Sequence, residues 1–190
     1  MGRYNISKLI KIVEDPACGL PAEAVATLRV LIMSLRYLEE EITKLDGEIA
    51  RRAKEDDLAR RLMTIPGIGP LIATAFATLA PAAETFRKGR DFAAWLGLVP
   101  RQHSTGGKQR LGATTKMGER SLRRLLIIGA NSVIIKRNVH TSAKPGSWLG
   151  EMLGRKPTML VRVALANKMA RIVWALMAHG SVYKAPAPTM

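Results

Sequence analysis

A hydroxyl group that could act as a nucleophile lies in a basic, glycine-rich segment, HSTGGK at residues 103–108, with Arg101 and Arg110 close by. A serine oxygen such as that of Ser104 can attack a phosphodiester when cations stabilise the charge on the phosphoryl group and glycines let backbone N–H groups approach it. The alternative is that Ser104 and Thr105 are turn residues whose hydroxyls hydrogen-bond the backbone. Composition alone favours that alternative.

Acidic side chains are too few for metal-dependent chemistry. A two-metal nuclease needs several carboxylates that converge on Mg²⁺. After residue 63 the sequence holds only Glu84, Asp91, Glu119 and Glu151. The single cysteine excludes a disulfide framework and a cysteine zinc site, and the three histidines have no metal-ligand spacing. We therefore expect no metal site and no cofactor in this chain.

Positive charge dominates the 190-residue chain, which carries 30 Lys and Arg against 15 Asp and Glu, a net charge of +15. Residues 1–63 hold 11 basic and 11 acidic side chains, so the excess lies after residue 63. Such a surface attracts polyanions, of which nucleic acid is the commonest and an anionic membrane surface the alternative. No signal peptide or uninterrupted apolar span is present, and we expect a cytoplasmic protein that does not enter a membrane.

The segment PGIGP at residues 66–70 separates two apolar helical patterns, which predicts a helix-hairpin-helix. Gly67 and Gly69 would let backbone N–H groups approach a phosphate at the positive end of the second helix, and Ile68 would pack between the helices. The alternative is a tight turn between two core helices. The residues predicted to contact DNA are Gly67, Ile68, Gly69, Arg101, Lys108, Arg110, Lys116, Arg120, Arg123 and Arg124.

The elements that must position these residues are mainly helical, so the predicted fold class is mainly α. Apolar residues from Leu28 to Ile49 alternate in steps of three and four, the period of a coiled coil. We call the residues in these positions the seam: Leu28, Leu31, Leu35, Leu38, Ile42, Leu45 and Ile49. The seam predicts a homo-oligomer, and an antiparallel helix packed on the rest of the chain is the alternative.

Four regions are predicted: a lead segment 1–20 with a short helix, a coiled-coil helix 21–63, a helical domain 64–180 and a disordered tail 181–190. Within the third we expect a short helix with Asp91 as its N-cap and Gly97 at its end. Residues 101–118 are predicted to form either a flexible loop or a β-hairpin that turns at Gly106-Gly107. Helices are predicted over 119–138 and 158–178, with a polar linker over 139–157 between them.

Three segments carry a family resemblance: IPGIGPLIATA, DFAAWLGLVPRQHSTGGKQRLGATTKMGERSLRRLLIIGA and VALANKMARIVWALM. They resemble the C-terminal half of insertion-sequence-110 family transposases of the insertion-sequence-1111 subgroup, DEDD-type recombinases guided by a bridge RNA. The resemblance runs from about Leu9 to Met177 and is most specific from Asp91 to Ala130. It implies DNA transposition, a guide RNA partner, a coiled coil and a C-terminal domain with a catalytic serine. Ser104 matches that serine, and Thr105 is the alternative.

The chain departs from the family pattern at its beginning. The resemblance implies an N-terminal RuvC-like domain whose acids hold Mg²⁺, and this sequence has no matching acids. We therefore expect a truncated, DNA-binding C-terminal part of a transposase that is inactive alone. The alternative is a non-catalytic DNA- or RNA-binding remnant that oligomerises with intact transposase.

Overall fold

The computed structural model describes residues 3–17, 19–103, 105–108, 110–136 and 147–184. Two compact units are present, Met1–Glu48 and Ile49–Met190, and the boundary predicted at residue 63 falls inside the second. The mainly α prediction is confirmed. The helices are α1 (Arg3–Glu14), α2 (Ala22–Glu55), α3 (Asp57–Leu62), α4 (Pro70–Leu79), α5 (Gly89–Trp95), α6 (Arg120–Lys136), α7 (Trp148–Arg155) and α8 (Thr158–His179). A 3₁₀ turn spans Ala83–Thr85, and two strands, β1 (Pro100–Gln102) and β2 (Leu111–Thr114), form a small sheet.

In the first unit, side chains of α1 and of the first half of the seam line one apolar groove. Its lining residues are Ile6, Leu9, Ile10 and Val13 of α1 and Leu28, Leu31, Ile32 and Leu35 of α2. An ion pair of 2.7 Å between Arg36 Nη2 and Glu14 Oε1 joins the end of α1 to α2. The seam residues Leu38, Ile42 and Leu45 remain more than half exposed.

The core of the second unit is built around α8, which packs against α3, α5, α6 and α7. Phe76 of α4 and Phe92 of α5 are fully buried, and Phe92 stacks on Trp95 with ring centroids 5.6 Å apart. Gly89 at the start of α5 allows that helix to approach the backbone of Arg171 on α8. The aromatic residues therefore concentrate where α5 meets its neighbours, although the sequence contains few of them.

Three sequence predictions need correction. The linker predicted over 139–157 contains α7, which Ser147 caps by accepting a hydrogen bond from the amide of Gly150, and Leu149 packs with Ile134 and Val161. Helix α5 begins at Gly89 with Lys88 as its N-cap, so Asp91 lies in the first turn and is not the cap. The missed pattern in α7 is the short apolar spacing of Leu149, Met152 and Leu153, which its glycines obscure.

The predicted tail, the third correction, is in part held by the core. The amide of Tyr183 donates to Oγ1 of Thr64 at 2.9 Å, and the Tyr183 side chain packs against the second unit's core. Residues 185–190 lie outside the described part of the chain. No helix among the described residues is both long enough and apolar enough to cross a bilayer.

Candidate nucleic-acid interface

The described residues between 100 and 114 form an antiparallel β-hairpin, the second of the two conformations predicted from the sequence. Thr105 bridges Lys108, and Gly106 and Gly107 between them have φ of +55° and +76°. Positive φ at both central residues is the geometry of a type I′ turn, which glycine adopts without a Cβ penalty and which matches the twist of the strands. The two glycines therefore fix the tip of the hairpin.

The hairpin contains a β-bulge near its base. Pro100 pairs with Thr114 and Gln102 pairs with Leu111, so Arg101 faces two residues of β2 instead of one. One of these is Gly112, where a Cβ would lie 3.0 Å from the ring of His103 and 3.6 Å from Cβ of Arg101. The side chains of Arg101 and His103 therefore share the face of the hairpin that Gly112 leaves open.

The base of the hairpin is held against the end of α5 by a set of backbone contacts that we call the clasp, formed by residues 95–99 and 115–119. The amide of Lys116 donates to the carbonyl of Gly97, and that of Thr115 donates to Val99. Gly97 and Gly118 both have positive φ. A Cβ on Gly97 would collide with the carbonyl of Met117, and a Cβ on Gly118 would collide with the carbonyl of Trp95. Only glycine fits at these two positions.

Arg123 closes the clasp from α6. Its Nη1 donates to the carbonyl of Leu96 at 3.0 Å and to that of Met117 at 3.3 Å, so it caps the C-terminal end of α5. The structure thus gives this residue, predicted to contact DNA, two protein partners. Arg120 and Arg124 on the same helix are exposed.

The turn between α3 and α4 differs from the prediction in the role of Gly67. This residue has φ of +86°, but the space beside its Cα is filled by the backbone of Gly129 on α6, and a Cβ would lie 2.5 Å from the Gly129 carbonyl oxygen. Ile68 is 4% exposed, and its amide donates to the carbonyl of Ile65. Both residues pack inward, as the sequence predicts for Ile68. Of the three residues of the turn predicted to contact DNA, Gly69 is therefore the one with free space beside its Cα.

Gly69 is the N-cap of α4 in extended conformation, with φ of −96°, and a Cβ built there meets nothing within 4 Å. No side chain caps this helix end, and Pro70 follows at its first position. An uncapped helix N-terminus carries partial positive charge on its free amides. The turn therefore offers an anion site at Gly69, whereas Gly67 provides close packing.

Helix α6 contacts both the clasp and the turn. Arg123 binds the clasp and Gly129 contacts the turn, and the two residues are six positions apart, about 9 Å along the helix axis. Within the described part of the chain, no acidic side chain lies within ion-pair distance of Arg101, Lys108, Lys116, Arg120 or Arg124. These cations of the hairpin and of the first turns of α6 are therefore not neutralised by neighbouring carboxylates.

Ser104, the predicted nucleophile, lies outside the described residues. The described residues on either side of it pair across the hairpin, since the amide of His103 donates to the carbonyl of Arg110 at 2.8 Å and Thr105 bridges Lys108. Across the described ranges, no group of three or more His, Cys, Asp or Glu side chains gathers in a way that could hold a metal ion. Mg²⁺ therefore has no fitting donor set among those residues.

Comparison with known proteins places this hairpin and turn in one domain. Residues 59–144 match the model of the transposase IS116/IS110/IS902 family. The chain carries a transposase domain of that family. The matched range begins at Ala59 in α3 and includes α4, α5, the clasp, the hairpin and α6.

Similarity to individual transposases covers nearly the whole chain. A protein of Pseudomonas aeruginosa named probable family 20 transposase is 48% identical over 185 residues, which cover 96% of this chain and 54% of that protein. The transposase for insertion sequence element IS1328 of Yersinia enterocolitica is 40% identical over 86% of this chain and 49% of its own length. The transposase for insertion sequence element IS1111A of Coxiella burnetii is 34% identical over 93% of this chain and 48% of its own length. The chain thus spans about half the length of these relatives.

Sequence reasoning missed the structural role of the clasp. The sequence predicts that Gly97 ends a helix and shows Gly118 only as one of several glycines in a polar segment. Lys116, predicted only as a DNA contact, has φ of +54°, the one non-glycine residue with positive φ among those described. No local pattern in the sequence shows that residues 97 and 118 meet, because the hairpin that joins them lies between.

Proposed function

We propose that this chain is the DNA-binding part of an insertion-sequence transposase, and that the hairpin of residues 100–114 contacts the DNA backbone. The observation that carries the proposal is an exposed hairpin with four cations in or beside it, Arg101, Lys108, Arg110 and Lys116, on a base that the backbone hydrogen bonds of the clasp hold against α5. Lysine and arginine on a protruding element bind phosphates through charge and so need no base-specific contacts.

The N-terminus of α4 at Gly69 is proposed as a second backbone contact. A phosphate there would accept hydrogen bonds from free amides and benefit from the helix dipole. Arg120 and Arg124, which are exposed in the first turns of α6, would add positive charge to the DNA-binding surface. Positive charge spread over several elements favours binding with little sequence preference, which fits the guide RNA that the family resemblance implies.

Ser104 is proposed as the nucleophile for DNA strand transfer, with Thr105 as the alternative. Its hydroxyl oxygen would lose its proton and attack the phosphorus, so that an O–P bond to serine forms, the bond from phosphorus to a deoxyribose oxygen breaks, and that oxygen takes up the proton. Arg101 and Lys108 would stabilise the negative charge on the phosphoryl group. Family resemblance also implies Mg²⁺, and because the described residues do not fit that ion, we assign no step to it.

Self-association through the seam is proposed as well. Leu31, Leu38, Ile42 and Leu45 are each more than half exposed on α2, and apolar residues at this spacing bury themselves against a second helix. These four side chains form an exposed apolar stripe that is interrupted at Leu35, which is partly buried, and such a stripe favours contact with another apolar surface.

The DNA contact is tested by salt-dependent binding of the full chain to duplex DNA. Replacing Arg101 and Lys108 by Gln should weaken binding and lower the log–log slope against salt by roughly 0.7–0.9 for each phosphate that the variant no longer neutralises. Arg155→Gln with Arg87→Gln is the matched control, because it removes two exposed cations that each have an acidic neighbour, Glu151 and Asp91. Equal reductions in affinity for the two double variants would show that the hairpin is not the contact surface.

A further inference from the structure

The first half of the seam and the second half differ in what covers them. Side chains of α1 line the same groove as Leu28, Ile32 and Leu35, which are partly buried. Leu38 and Leu45, further along α2, are 56% and 61% exposed. Leu31 in the first half is 60% exposed, so what distinguishes the two halves is that α1 lies beside the first one.

The two halves of the first unit also differ in charge. Residues 38–48 of α2 contain five acidic residues and one lysine, Lys44, which pairs with Glu41 at 2.6 Å. The part of the unit that α1 covers is basic by comparison. It carries Lys8 and Lys11 on α1 and Arg29 and Arg36 on α2. The acidic residues on these two helix segments are Glu14 and Glu23.

The acids of the second half occupy the positions that border the seam. In heptad terms Leu28, Leu35 and Ile42 are a positions and Leu31, Leu38 and Leu45 are d positions, so Glu39 and Asp46 fall at e and Glu41 and Glu48 at g. Residues at e and g lie beside the partner helix and set the orientation in which two helices pair. Their charges therefore decide between the two ways in which a second copy could bind.

A parallel pair would bring like charges together. Position g of one helix lies beside the following e position of its neighbour, so Glu41 of each copy would face Asp46 of the other. An antiparallel pair that matches Leu31 with Ile42 and Leu35 with Leu38 places Glu41 beside Ser34 instead. This second arrangement keeps these seam residues buried and removes the acid–acid contacts.

We infer that two copies of this chain pair in antiparallel orientation through α2, with α1 of each copy lying beside the exposed seam half of the other. This inference rests on the self-association proposed above and adds its geometry. The basic half of each unit then meets the acidic half of the other, with Lys8 and Lys11 near Glu39 and Asp46. The assembly uses only residues of the first unit.

The length of α1 suits this role. Its 12 residues span about 18 Å, and the exposed half from Leu38 to Leu45 covers about 12 Å along α2. Ile12, which does not line the groove, is 53% exposed, and Leu9 within the groove is still 51% exposed. Helix α1 thus leaves apolar surface at these two residues for the other copy to contact.

Cysteine cross-linking of the full chain distinguishes the orientations. In a Cys18→Ser background, Leu31→Cys and Ile42→Cys proteins are prepared separately and oxidised alone and as a mixture. The antiparallel pair predicts a disulfide-linked dimer in the mixture at several times the yield of either protein alone. Met33→Cys mixed with Ile42→Cys is the control, since Met33 is 69% exposed and lies off the seam.

Charge reversal gives a second measurement with opposite expectations. Glu41→Lys with Glu48→Lys would create attractive pairs with Asp46 in a parallel dimer and strengthen it, whereas in the antiparallel dimer it should leave association unchanged or weaken it. Glu40→Lys, at an f position away from the seam, is the control for one such charge reversal. Association is followed by sedimentation of the full chain at tens of micromolar.

The outcomes distinguish a failure of self-association from a failure of the antiparallel orientation. A wild-type chain that sediments as a monomer would overturn both the proposed self-association and the antiparallel inference, without affecting the DNA-binding proposal. A dimer in which Leu31→Cys links to itself as readily as to Ile42→Cys, or one that Glu41→Lys with Glu48→Lys strengthens, would overturn the antiparallel orientation alone.

Discussion

Gly67 and Gly129 pack backbone against backbone, and each occupies the place where the other's Cβ would be. A Cβ on Gly67 would lie 2.5 Å from the Gly129 carbonyl oxygen and 2.7 Å from Cγ2 of Val133, and one on Gly129 would overlap the Gly67 carbonyl. This contact joins the turn after α3 to the middle of α6. It explains why the turn needs a glycine at residue 67 for packing, independently of any phosphate.

Gly67→Ala should therefore destabilise the protein. The substitution combines a positive φ with a collision against rigid backbone, and we expect the free energy of unfolding to fall by at least about 2 kcal/mol. Urea unfolding followed by circular dichroism measures it. Gly47→Ala in α2, where a Cβ meets nothing within 4 Å, is the control and should gain up to about 1 kcal/mol. A Gly67→Ala protein as stable as wild type would show that the contact is not tight.

Substitutions at Gly69 separate folding from anion binding. Asp and Asn both suit the extended N-cap of α4, and each should stabilise the helix by a few tenths of a kcal/mol relative to glycine. Only Asp adds a negative charge where a phosphate is proposed to bind. Gly69→Asp should thus weaken DNA binding at low salt much more than Gly69→Asn does. Similar affinities for the two variants would remove α4 from the proposed DNA contacts.

Two neighbouring arginines on α6 should respond differently. Arg123→Gln removes the hydrogen bonds to the carbonyls of Leu96 and Met117, which should cost about 1–3 kcal/mol of stability, because charged donors make the stronger bonds. Arg124→Gln, at an exposed position, should leave stability within about 0.5 kcal/mol and reduce DNA affinity. Thermal unfolding and DNA titration of both variants measure these two effects. If Arg124→Gln were less stable than Arg123→Gln, the capping role of Arg123 would be contradicted.

Lys116 in the clasp has φ of +54°, a backbone conformation that is strained for residues other than glycine. Lys116→Gly should raise the free energy of unfolding by up to about 1 kcal/mol, because the left-handed conformation costs an L-residue roughly 1–2 kcal/mol and glycine adds some backbone entropy to the unfolded state. The same change removes a cation from the base of the hairpin and should lower DNA affinity. Lys116→Asn, which tolerates this conformation better than lysine, gives an intermediate stability if strain is the cause.

The nucleophile is tested by a covalent protein–DNA adduct. The full chain is supplied with a RuvC-like domain from an intact relative, a guide RNA and DNA, and the adduct is mapped by mass spectrometry. Ser104→Ala should abolish the adduct and leave salt-dependent binding nearly intact, since one hydroxyl is a small part of a strongly basic surface. Thr105→Val is the neighbouring control.

Loss of the adduct in Thr105→Val and not in Ser104→Ala would assign the nucleophile to Thr105. An adduct absent in the wild type under all these conditions would favour the non-catalytic nucleic-acid-binding remnant, provided that binding persists. An adduct formed by the isolated chain would contradict the expectation that it is inactive alone.

Sequence pattern by itself determined most of the long helices of this protein, although it missed α7. The steps of three and four in α2 and the apolar spacing of α6 and α8 each act within a few residues, so their periodicity predicts the helix directly. The glycine pair at residues 106 and 107 predicted the position of a turn but left a flexible loop and a β-hairpin as alternatives. The basic excess after residue 63 follows from counting and does not depend on the fold. The resemblance to a transposase family rests on contiguous segments for the same reason.

Only the tertiary structure decided which of these residues face inward. Gly67 meets Gly129, which is 62 positions away, and Gly97 meets Met117 across a hairpin, so no local window contains both partners. Arg123 caps the C-terminal end of α5 because it lies on the side of α6 that faces that end. Arg124, the next residue, lies on the exposed side of the same helix. Burial depends on such contacts between distant segments, and side-chain type alone cannot specify which arginine or glycine receives them.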